Sequence, residues 1–96
     1  MKTILVVDDM SIFRDAMAAA LKAAGYRTLT ASDGAEAIET IRAQRPDLVL
    51  LDLGMPVLDG LAALRILRGD AEMRNIPVIL LTAISDKQKV LQAARL

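Results

Sequence analysis

Asp8 and Asp9 follow the apolar run Ile4-Leu5-Val6-Val7, and Asp52 follows Leu48-Val49-Leu50-Leu51, so three carboxylates stand where two hydrophobic segments end. Taken singly, Asp8 or Asp9 reads as a solvated turn residue capping a helix that begins near Ser11. Asp52 fits a turn less well, because a carboxylate directly behind four apolar residues is costly unless the segment delivers it to a site. If the two segments lie side by side, the three aspartates converge. Two unit charges ~4 Å apart repel by about 4 kcal/mol at an effective dielectric of about 20, so such a group calls for a cation. The chain has no His and no Cys, which leaves oxygen ligands alone and favours a hard ion. A site that leaves positions to water or to a substrate phosphate suits Mg²⁺ better than a caged Ca²⁺.

Two further stretches extend this set. In Asp52-Leu53-Gly54-Met55-Pro56-Val57-Leu58-Asp59-Gly60, Gly54 lets the backbone approach a ligand, Pro56 stiffens the loop, and Asp59-Gly60 opens a helix. Thr82-Ala83 follows the run Val78-Ile79-Leu80-Leu81. Threonine at a strand end is ordinary by β propensity, so Thr82 carries weight only through its joint placement with the aspartates.

Placing these residues together requires an alternating architecture. The three apolar runs are short and continuous, as strands are when both faces of a sheet are covered. Between them the helical period appears: Phe13, Met17, Leu21 and Ala24 share a face, as do Ile38 with Ile41, and Leu61 with Leu64 and Leu67. Gly25 stops the first helix, Asp33 and Glu36 have capping-box spacing, Pro46 follows the second helix and Gly69 ends the third. The pattern predicts strands at about 3–8, 27–31, 48–52 and 77–82, with helices at 11–24, 34–44, 60–68 and 86–96. Arg27-Thr28-Leu29-Thr30-Ala31 alternates in polarity and belongs at a sheet edge. Regular βα alternation with short connections implies one α/β domain over 1–96, a three-layer doubly wound parallel sheet with right-handed crossovers. Its functional crevice lies beyond the carboxyl ends of the strands.

Composition excludes other classes. In 96 residues, 54% are apolar, and 12 basic side chains balance 12 acidic ones. That balance lacks the basic footprint of a nucleic-acid binder, so no direct nucleic-acid contact is expected. The apolar runs fall far short of the ~20 residues that cross a bilayer, and the short run after Lys2 is cut by Asp8 and Asp9, so neither a membrane span nor a secretory signal is expected. The default location is cytoplasmic. Absence of cysteine excludes a disulfide scaffold.

The acidic pair Asp8-Asp9, Asp52 after the third strand, the Met-Pro-x-x-Asp-Gly pattern at 55–60 and Leu81-Thr82-Ala83 together resemble the receiver domain of two-component response regulators, in register along the whole chain. The resemblance implies a flavodoxin-like sheet of order 2-1-3-4 and an Mg²⁺-dependent phosphoacceptor rather than an enzyme. Asp52 would accept the phosphoryl group from a sensor histidine kinase or a phosphotransfer protein. Asp9 would bind the metal directly and Asp8 mainly through water, with Asp52 and the carbonyl of Gly54 completing the protein ligands. Thr82 would hydrogen-bond the phosphoryl group, helped by the Ala83 amide.

Receivers usually have a fifth strand and a fifth helix, with a lysine ending that strand. This sequence stops at Leu96, within the expected fourth helix, so a truncated receiver is expected. Lys87 and Lys89 fall on that helix and do not replace the lysine. Without a fifth strand, Val78–Leu81 becomes a bare apolar edge that invites self-association and lowers stability. A second reading follows: a phosphorylation-impaired fragment acting as an interaction or oligomerisation module. A third, a phosphohydrolase resembling the haloacid dehalogenase family, wants Asp-x-Asp after the first strand, and Asp8-Asp9-Met10 does not supply it.

Overall fold

The computed structural model describes residues 1–52 and 60–81. The stretches 53–59 and 82–96, which include Gly54, Thr82, Ala83 and the helix expected at 86–96, lie outside the described residues. The elements run β1 (Thr3–Val7), α1 (Ser11–Ala23), β2 (Arg27–Ala31), α2 (Gly34–Gln44), β3 (Leu48–Asp52), α3 (Gly60–Gly69) and β4 (Val78–Leu81). All pairings are parallel, in the order β2-β1-β3-β4. The alternating pattern predicts such a parallel α/β sheet, and its strand order is the flavodoxin-like one that the resemblance implies. The β1 strand ends at Val7 rather than at Asp8, and α1 ends one residue before Ala24.

Strand parity divides the apolar side chains between two layers. Leu5, Val7, Val49 and Leu51 pack with Ala37, Ile38 and Ile41 of α2 and with Leu61, Leu64 and Leu67 of α3, closed by Met73 beyond α3. Ile4 and Val6 point the other way and are buried beneath α1, which contributes Ala18. The central strand β1 is therefore buried on both faces, while β2, the polar one, takes an edge. The α1 face differs from its sequence reading. Phe13 is 58% exposed, Met17 and Leu21 are only half-buried, and Ala24 is exposed: among the described elements α1 packs chiefly against β1 and β2, and Ala18 is its buried residue.

Local chemistry fixes where elements stop. Gly25, at φ 98°, lets the Tyr26 amide reach the carbonyl of Leu21 and its own amide reach Lys22, so the end of α1 is closed by a Schellman pair. Asp33 caps α2 by accepting from the Glu36 amide at 2.8 Å. The Glu36 carboxylate reaches back one residue further than the capping box predicts, to the amide and hydroxyl of Ser32. The turn from α3 into β4 is clasped by Arg68, whose Nη1 donates to the carbonyls of Arg74 at 2.7 Å and Ile76 at 3.2 Å.

Candidate functional site

Register explains how the aspartates meet. The β1–β3 ladder pairs Ile4 with Leu48 and Val7 with Leu51, so the next step along both strands sets Asp8 beside Asp52. The two share strand parity with Ile4, Val6, Leu48 and Leu50, so they rise from the face of the sheet that α1 partly covers. Asp9 follows in the turn into α1. One carboxylate oxygen from each of Asp8, Asp9 and Asp52 lies within 4.8 Å of the others, with Asp8 and Asp52 half-buried and Asp9 exposed.

Asp8 is held at three points. Its amide donates to the carbonyl of Ala31 at 3.1 Å, extending the β1–β2 ladder by one bond. Its Oδ1 accepts from the Met10 amide at 2.9 Å, and its own carbonyl accepts from Nη1 of Arg14 at 3.2 Å. The turn reading of Asp8 and the site reading are thus compatible: one oxygen shapes the turn, and the carboxylate still faces its neighbours. Met10 occupies the N-cap of α1 with no side-chain cap bond, so capping comes neither from Asp8 nor from Asp9.

The donor set fits a small hard cation. Octahedral Mg²⁺ with ligands at about 2.0–2.1 Å spans oxygens up to ~4.2 Å apart, so three oxygens within 4.8 Å need only small side-chain adjustments to share one ion. No nitrogen or sulfur donor competes, since the chain has no His or Cys. Of the residues expected at the site, Asp8, Asp9 and Asp52 come together, and Gly54, Thr82 and Ala83 fall outside the described residues.

Two features of the site were not read from the sequence. Arg14 folds back on the acidic turn; a single arginine six residues after Asp8 carries no motif by itself. Met10, Ile12 and Phe13 form an exposed apolar rim beside Asp9, with Ile12 78% exposed. Helical periodicity assigns Phe13 to the buried face because it records which residues share a face, not what that face packs against.

Comparisons with known proteins agree with this geometry. The family description "Response regulator receiver domain" matches residues 4–96. The chain is 39% identical over 90 residues to the polar-differentiation response regulator DivK of Brucella anthropi, covering 90% of this chain and 70% of that protein. Among solved structures, the N-terminal domain of a response regulator receiver protein from Methanoculleus marisnigri JR1 matches with a TM-score of 0.85 and 37% identity, over 97% of this chain and 79% of that one. The signal receiver domain of a histidine kinase from Syntrophus aciditrophicus matches with a TM-score of 0.90 and 37% identity, over 98% of this chain and 71% of that one. Acidic side chains gathered where parallel strands end, in a 2-1-3-4 sheet that superposes on these domains, have one reading: the chain belongs to the response regulator receiver family, the phosphoacceptor domains of two-component signalling.

Proposed function

We propose that this chain is an Mg²⁺-dependent phosphoacceptor that receives a phosphoryl group on Asp52 from a sensor histidine kinase or phosphotransfer protein and thereby changes partner binding. The observation that carries the reading is the convergence of Asp8, Asp9 and Asp52 at one rim. An Asp52 carboxylate oxygen attacks the phosphorus of the donor, the bond from phosphorus to the donor's imidazole nitrogen breaks, and its electron pair stays on that nitrogen, leaving an aspartyl phosphate. A magnesium ion, when bound, supplies positive charge to the phosphoryl oxygens, without which two anions do not approach. Asp9 and Asp52 would hold the ion directly, Asp8 through water, and the Gly54 carbonyl would add a ligand. Thr82 and the Ala83 amide would donate to the phosphoryl oxygens. The exposed rim of Met10, Ile12 and Phe13 supplies apolar surface beside the acceptor for a partner to cover.

Incubation of the chain with acetyl phosphate and Mg²⁺, followed by intact mass measurement, tests this. One hydroxylamine-labile phosphoryl adduct is expected on the wild type and none on Asp52→Asn. Labelling that survives Asp52→Asn overturns the assignment.

A second reading, a phosphorylation-impaired interaction or oligomerisation module, is favoured by β4. Among the described residues this strand ends the sheet, and Ile79 on it is 50% exposed. An unlabelled wild type that sediments as a dimer supports it; a labelled monomer removes it. A cytoplasmic location completes the proposal. No helix among the described residues is long and apolar enough to cross a membrane.

A further inference from the structure

We infer that Arg14 is a positioning residue for the acidic pocket, an inference that rests on the metal-dependent reading above. Around it on the first turn of α1, Ser11, Ile12, Phe13 and Asp15 are exposed, whereas the Arg14 side chain keeps only 20% of its exposure. It turns back toward the strand end and donates from Nη1 to the carbonyl of Asp8 at 3.2 Å, while its Nε stands 3.7 Å from Oδ1 of Asp15. The Asp8 carbonyl belongs to the peptide that leads into Asp9, so this contact fixes the plane from which Asp9 projects. The other groups of Asp8 are tied in different directions, its amide to Ala31 and its Oδ1 to the Met10 amide. Among the described residues, the Asp9 carboxylate has no hydrogen bond or ion pair of its own. Its direction is inherited from the backbone that Arg14 holds.

The sign of the effect separates positioning from charge. A guanidinium next to the pocket repels a divalent cation, so by Coulomb's law alone its removal tightens ion binding. If Arg14 orients Asp9, removal weakens binding instead, because groups that hold metal ligands in place contribute ~10-fold or more to affinity.

The test is a titration of the full chain with Mn²⁺, which accepts the same oxygen ligands. Free ion is read from its electron paramagnetic resonance signal, Mg²⁺ serves as competitor, and circular dichroism confirms that each variant is folded at the working temperature. Arg14→Met is expected to bind Mn²⁺ ~10-fold more weakly than wild type. Arg14→Lys, which restores a donor on a different geometry, is expected to fall between the two. Arg14→Met binding as well as or better than wild type overturns the inference. Should Arg14→Met not fold, Arg14→Lys decides alike: weaker than wild type supports positioning, equal or tighter binding overturns it. A wild type that binds no Mn²⁺ overturns the metal reading and this inference together, so the two failures are distinct.

Discussion

At the amino end of the sheet, Asp47 accepts from the Thr3 amide through Oδ2 at 2.8 Å and returns its own amide to the Thr3 carbonyl at 2.8 Å. At the carboxyl end, three aspartates face one another within 4.8 Å, and of these Asp8 gives only Oδ1 to a neighbouring amide, that of Met10. The difference is one of partner. Asp47 is stabilised by the fold itself: its two bonds set the start of the β1–β3 register and leave Thr3 buried. The carboxyl-end cluster brings like charges together, an arrangement that a shared cation would stabilise. A cleft of about 290 Å³ lined by Lys2, Ile4, Tyr26, Asp47 and Leu48 also lies at the amino end.

Removing these carboxylates one at a time separates the two ends. The largest effect is expected from Asp52→Asn, which removes all phosphoryl labelling by acetyl phosphate while leaving the circular dichroism spectrum unchanged. Next, Asp9→Ala is expected to weaken Mg²⁺ binding by more than ~10-fold in calorimetric titration, and Asp8→Ala by less. Equal losses contradict the direct and water-mediated roles. At the opposite end, Asp47→Ala leaves the Thr3 amide without its carboxylate partner and is expected to lower stability by about 1–3 kcal/mol in urea denaturation, with metal affinity unchanged. The smallest effect is expected from Asp33→Ala, which removes the α2 cap and costs about 1 kcal/mol by the same measurement.

Much of this organisation was legible in the residues. The continuous runs at 4–7 and 48–51 identify buried parallel strands, and alternation at 27–31 identifies the edge strand. Asp33, Gly25 and Gly69 mark helix ends because their local chemistry acts over a few residues and needs no tertiary partner. What depends on distant geometry was not legible. Phe13 has the right spacing to be buried yet is 58% exposed, because period alone does not say what a helix face packs against. The contact from Arg14 to the Asp8 carbonyl requires the helix to double back over the strand end. The convergence of the aspartates stands between these cases. Each strand end was readable, but their meeting required β1 and β3 to be neighbours in a register that carries Asp8 alongside Asp52.

Whether one divalent ion is shared by side chains from two strand ends can be read from anomalous diffraction by crystals of the chain grown with Mn²⁺. A single strong peak is expected, bonded to carboxylate oxygens of Asp9 and Asp52, with Asp8 joined through an ordered water. A peak elsewhere on the surface, or saturating Mn²⁺ with no peak between these aspartates, contradicts it.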